Sequence, residues 1–256
     1  MKRILLLLLC MGIWQNSAWA VSPHRCFPFG GERLSFDVGW EFVNAGTAIL
    51  QATTPSVDTY QVSTQANTNK VLDIFKKIRD SIDSSGVCID QHMQSTLFAL
   101  NQHERSYHAV KTTVFDWQNN LVHYTQNNKT DDYKVPAGHL NVMDAFFRVR
   151  GLDLKPGQTV TIPIFDSRKT YELIVTVEDQ TVKLIAPWGN MVECIVVEPK
   201  LKTAGIFSSA GTIKLWMTND DRHIPLQLSA KIKIGRIMGY LTDYQPPASG
   251  LSNTQE

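Results

Sequence analysis

Apolar and polar residues alternate through most of this chain, with the period of two expected of half-buried antiparallel strands. The clearest case lies near the end, where Leu228, Ala230, Ile232 and Ile234 interleave with Gln227, Ser229, Lys231 and Lys233. Just before it, Ile213, Leu215 and Met217 share one face and Lys214 and Trp216 the other, and the turn cluster Asn219-Asp220-Asp221-Arg222 makes the two runs neighbours. Leu34, Phe36, Val38 and Trp40 alternate near the start, with Asn44-Ala45-Gly46 expected to turn the chain into Thr47–Ala52 as a hairpin. Further strands are expected over Thr59–Ala66, Met93–Gln102, Ser106–Asp116 and Leu121–Thr125. Gln118-Asn119-Asn120 connects the last two, and Asn127-Asn128 ends that series. A second series follows the turn Lys155-Pro156-Gly157-Gln158, over Thr159–Phe165, Thr170–Glu178 and Thr181–Ala186, and continues through Met191 to Pro199.

Two segments break the alternation. Asn141 to Arg150 carries an apolar stripe of Val142, Ala145, Phe146 and Val149, with Asn141 placed to cap the helix, Asp144 early, Arg148 and Arg150 late, and Gly151 as the stop. Asn69 to Asp83 fits both periods, and we read it as a helical turn running into a strand from about Phe75. The expected fold class is all-β, mainly antiparallel: a strongly curved sheet, or a partly open barrel or sandwich, with one short helix near 141–150 plugging an end.

The first twenty residues have a different character. Met1-Lys2-Arg3 precedes the apolar run Ile4 to Trp14, and Ala18-Trp19-Ala20 supplies small residues at the positions a signal peptidase reads. This is the pattern of a cleaved export signal over 1–20, too short to anchor across a bilayer. A lipoprotein would use Cys10, but Leu9 stands where a small residue is needed. The expected organisation is then an arm over 21–31, a single β domain over 32–245 and a polar disordered tail over 246–256. The expected location is the periplasm, with outer-membrane association left open and no later stretch that crosses a membrane. Removing Lys2 and Arg3 leaves 23 basic against 24 acidic residues, a balance that argues against nucleic acid as a partner. Cys26, Cys88 and Cys194 survive export. Cys194, in an apolar run, reads as a buried thiol. Cys26 falls in what reads as a mobile new N-terminus, and a Cys26–Cys88 bridge is one option in an oxidising compartment, unbridged thiols the other.

Several blocks, taken in order, resemble the bacterial family called domain of unknown function 3108. They are Gly31 to Val38, Asn44 to Ala48, Lys77 to Asp83, Val142 to Arg150, Lys155 to Gln158, Glu193 to Pro199, Gly211 to Asp220, His223 to Leu226 and Ile234 to Ile237. Ala186-Pro187-Trp188-Gly189-Asn190 departs from the family's usual short turn. The resemblance implies an exported, mainly antiparallel β protein of the cell envelope and brings no catalytic residues with it.

Searching for chemistry turns up little. None of the seven histidines has the spacing of a metal site, and His103 and His108, five apart, are expected on opposite faces of one strand. No metal or cofactor is therefore expected. Arg79, Asp80 and Asp83, and Asp220, Asp221 and Arg222, are the two charged clusters, both better read as ion pairs or turn aspartates than as acid–base machinery. The expectation is a non-enzymatic envelope protein binding a lipid-like or other apolar ligand in a curved-sheet cavity, with Phe146 and Trp216 as candidate lining. The alternatives are a protein–protein module of envelope assembly and, less favoured, a hydrolase built on Arg79, Asp80 and Asp83.

Overall fold

The computed structural model of the chain describes residues 26–41, 43–73, 77–203, 206–207, 212–231 and 235–248. The export signal expected over 1–20, Phe75 and all of 249–256 lie outside the described residues, as do Ile232 and Ile234.

The alternating runs pair with one another in nearly sequential order. Strands β1 (Arg33–Trp40), β2 (Val43–Ser56), β3 (Thr59–Thr68) lead to a single helical turn, α1 (Lys70–Asp73). Then come β4 (Arg79–Ile89), β5 (His92–Glu104), β6 (Tyr107–Asp116), β7 (Leu121–Gln126) and β8 (Lys129–Lys134), followed by the helix α2 (Val142–Arg150). The second series is β9 (Thr159–Asp166), β10 (Lys169–Val177), β11 (Val182–Ile185), β12 (Met191–Thr203), β13 (Ile206–Phe207), β14 (Ile213–Thr218), β15 (Pro225–Lys231) and β16 (Arg236–Gln245). All sixteen strands belong to one sheet, in the order β8-β7-β6-β5-β4-β3-β2-β1-β16-β15-β14-β12-β10-β9, with β11 and β13 beside β12. The named strand pairs are antiparallel, so the fold is mainly antiparallel β around one short helix.

The ladder does not close, yet its two ends meet. Tyr133 on β8 packs on Phe165 of β9 with ring centroids 5.5 Å apart, and Arg168, just past β9, reaches Asp131 of β8 at 3.6 Å. The segment before α2 runs along β9, where Leu140 N–H donates to Pro163 O and Phe165 N–H to Leu140 O. A covered edge removes the exposed ladder groups that invite strand addition. The sheet is thus a barrel split along one seam and caulked by side chains.

Several turns differ from expectation. Asn44-Ala45-Gly46 lies inside β2 as a bulge, and the β1–β2 turn sits at Glu41, whose φ is 52°. Gly46 serves a close approach instead: a Cβ there would strike the Asn67 carbonyl. Asn127-Asn128 does not end the first series but folds it into β8, with φ of 48° and 68° at the two central residues of a primed turn. His103 and His108 stand on different strands, β5 and β6, directly opposite each other with ring centroids 3.8 Å apart, because the chain turns at Arg105.

The arm is not mobile where it is described. Cys26, Phe27 and Phe29 are buried, and Cys26 forms a disulfide with Cys88 of β4, Cα to Cα 5.9 Å. Phe27 stacks on Tyr60 and packs on Phe147, so the arm contributes to the core. Ala248 N–H donates to Gly30 O, which ties the first residues of the expected tail to the arm.

Candidate functional site

The site follows from how α2 fills one end of the barrel. Asn141 caps the helix, its side chain accepting from the Met143 and Asp144 amides, both at 2.9 Å. The helix ends at Gly151, whose N–H reaches Phe147 O and Arg148 O with φ of −85°, without a left-handed residue. Buried Ala145, Phe147 and Val149 face the sheet, but so do two charges, Asp144 and Arg150.

Asp144 is wholly enclosed and accepts from Tyr60 Oη at 2.8 Å, Ser84 Oγ at 2.6 Å and Ser95 Oγ at 2.6 Å. Burial pushes its carboxyl up to about 6, against the opposing pull of these hydrogen bonds. Burial, together with the adjacent carboxylate, also drives the Tyr60 phenol far above its usual range. At the other end of α2, Arg150 forms a two-pronged pair with Glu32 at 2.7 and 2.8 Å, with side-chain exposures of 0% and 1%. Its remaining donors reach His223 O and Arg222 O, and Phe29 lies 4.4 Å from the guanidinium. His223 donates from Nδ1 back to Arg150 O at 2.8 Å. These two polar clusters fix the helix to β3–β5 on one side and to the arm and the β14–β15 turn on the other. Neither is open to a substrate.

Away from the helix, the same inner face is less deeply buried among the described residues. On β1, β2, β14, β15 and β16 one row of opposed residues runs Val43, Trp40, Ile237, Ala230, Ile213, and the next, which reaches β12, runs Val38, Gly239, Leu228, Leu215, Val197. The second row leads into the core, since Leu215 packs against it and Val197 is fully buried. Yet Val38, Leu215, Leu228, Ala230 and Ile237 are only half-buried, and Val43, Trp40 and Ile213 are exposed. A third row crosses the opposite wall from buried Leu34 and Leu50 through Thr64, Ile82 and Leu100 to Lys111, the last four half-buried. Alternating polar residues such as Ser35, Asp37, Ser63, Gln65, Ser81 and Lys214 cover the outside. These rows form an apolar, inward-facing surface that remains partly accessible.

Of the two candidate lining residues, Phe146 is half-buried on α2, in contact with Phe147 and 5.7 Å from the Arg150 guanidinium. Trp216 belongs to the outward face of β14, opposite Val196 and Gln227, because its neighbours Leu215 and Met217 point in. The charged clusters do not form a cleft. Arg79 pairs with Asp73 at 2.6 Å, Asp80 accepts from the His103 amide, and Asp83 is exposed on the face opposite Asp80. Asp220 accepts from Thr218 Oγ1 and from the Arg222 guanidinium within the β14–β15 turn, while Asp221 faces solvent. Among the described residues no three His, Cys, Asp or Glu side chains gather as a metal site, and no helix is long and apolar enough to cross a membrane. Sequence reasoning missed Glu32 and His223, and read Asp144 and Arg150 only as charges placed for the helix ends, a role that gives no signal of their burial.

The comparisons agree with this architecture. The model of the family described as protein of unknown function DUF3108 matches residues 35–242. The chain belongs to that family. A β-barrel-like protein of domain of unknown function DUF1849 from Brucella abortus has a similar structure, with a TM-score of 0.60 at 9% identity, over 86% of this chain and 99% of the other. At that identity the likeness is one of fold. No curated protein matches the sequence.

Proposed function

We propose that this DUF3108 protein is an exported, non-enzymatic envelope protein that binds a lipid-like apolar ligand in the open half of its split barrel. The observation that carries this is the lining itself: Leu215, Leu228, Ala230 and Ile237 face inward beside a packed core and remain half-buried. The leader-like N-terminus and the Cys26–Cys88 disulfide support an oxidising compartment. The enclosure of Asp144 and of the Glu32–Arg150 pair speaks for a structural rather than catalytic use of the buried charges. Native mass spectrometry with organic extraction, on protein recovered from cells, tests the proposal. A co-purifying amphiphile of defined mass is the expected result; a clean apo mass from folded protein, with no uptake of added lipid, overturns it.

A second reading, a module that docks on an envelope protein, is favoured by the β11–β12 hairpin tip. There Ile185 and Met191 are 72% and 63% exposed, with Trp188 between them. Cross-linking in cells from position 188 would capture such a partner, and Ile185→Ser with Met191→Ser would abolish the capture.

A further inference from the structure

The open half has one wall that is not apolar. Lys111 lies on β6 between inward-facing Ala109 and Thr113, both buried, and directly opposite Leu100 in the row that runs back to Leu34. Its outward neighbours, Val110 and Val114, are exposed to solvent, so the strand places its cation inside and its valines outside. That inverts the usual arrangement of a half-buried strand. Among the described residues Lys111 makes no salt bridge. Its amine donates to the neutral Gln102 Oε1 at 2.7 Å, and Gln126, opposite it on β7, accepts from Tyr124 Oη at 3.1 Å. The Lys111 charge offsets part of the burial that raises the Asp166 carboxyl, at the end of β9; Gln102 in turn reaches Glu104 at 3.4 Å. An amine with three donors, half-buried on the inner face and giving one bond to a neutral amide, has donor capacity left for an anion.

We propose that Lys111 is the headgroup anchor of the chamber, and that the ligand is an amphiphile with one anionic head, carboxylate or phosphate, whose chain lies along the apolar rows of β14, β15 and β16. This rests on the ligand-binding role proposed above and adds the head's chemistry and its position. The test is displacement of N-phenyl-1-naphthylamine, an uncharged apolar probe, by oleic acid, oleyl alcohol and monooleoyl lysophosphatidic acid. An anionic competitor is expected to displace the probe at about tenfold lower concentration than the alcohol. Lys111→Met should erase that preference while leaving alcohol binding in place, and Lys111→Arg should retain it. The tighter of the two anions names the head. Equal displacement by acid and alcohol in the unaltered protein, or a preference that survives Lys111→Met, overturns the assignment of Lys111 alone. No displacement by any of the three overturns the binding role as well.

Discussion

The two ends of the barrel are made from the same strands and differ in what fills them. At the α2 end the inner face meets a helix, a disulfide-held arm and two hydrogen-bonded charge clusters, and Leu34, Tyr60, Ile195 and Met217 lose all or nearly all contact with solvent. At the other end the same alternation continues through Val38, Leu215 and Leu228 with nothing described to cover it. Packing therefore concentrates in one half, and the accessible part of the inner face lies in the other. Stable support beneath an accessible lining is the division of labour that holds a site in a fixed shape.

The largest expected effect comes from breaking the filled end at Arg150. Truncation by Arg150→Ala leaves the Glu32 carboxylate buried without its partner and should cost about 3–5 kcal/mol in urea unfolding. Replacing both partners, Glu32→Gln with Arg150→Met, should recover part of that loss, because no uncompensated charge remains. A loss below about 1 kcal/mol for Arg150→Ala would show that this end is not held as the contacts indicate.

Next comes the disulfide. Cys26 and Cys88 are 62 residues apart, and opening a loop of that size should cost about 2–4 kcal/mol. Urea unfolding with and without reductant measures it. Hydrogen exchange should show the loss centred on 26–32 and on β4, with the rows around Leu228 little changed.

How much of this was legible beforehand depends on the range of the interaction. The strands were readable because Leu34 to Trp40 and Ile213 to Thr218 each declare their faces locally, and α2 because Asn141 sits where a cap must. The turns were less so. Asn44-Ala45-Gly46 has turn composition, but Gly46 is needed for a close strand approach and non-glycine residues take the positive φ at Glu41 and at Asn127-Asn128. The Glu32–Arg150 pair spans 118 positions, and no local pattern announces it. Trp216 shows the other limit: parity put it opposite Leu215 and Met217, and only the structure says which of those faces is the inner one.

Asp144 offers a test tied to pH. Its carboxyl is raised to about 6 in the folded protein from the 3.8 of a free side chain, mainly by burial. Between these values the folded state holds the proton more tightly, so this group adds stability as pH falls from about 7 toward 4, and that contribution is lost as pH rises through 6. The span is worth at most about 3 kcal/mol. Asp144→Asn should flatten that part of the stability profile relative to the unaltered protein, with little change at the open end. An unchanged slope would place the relevant titration elsewhere, half-buried Asp166 being the other carboxyl that burial raises.

The smallest effect, at Ile213, gives the sharpest comparison when set beside Met217 on the same strand. Ile213, Leu215 and Met217 share the inner face of β14, yet Met217 is 0% exposed and Ile213 40%. Met217→Ala should cost about 2–5 kcal/mol, through lost transfer energy and the void left in the core. Ile213→Ser should cost under about 1 kcal/mol, since much of that side chain already meets water. If the open end is a binding surface, the order reverses for a bound amphiphile: Ile213→Ser weakens its uptake several-fold in the probe displacement assay while the fold stays intact. Equal stability losses at the two positions would mean the barrel is filled from end to end, and with that the chamber would disappear.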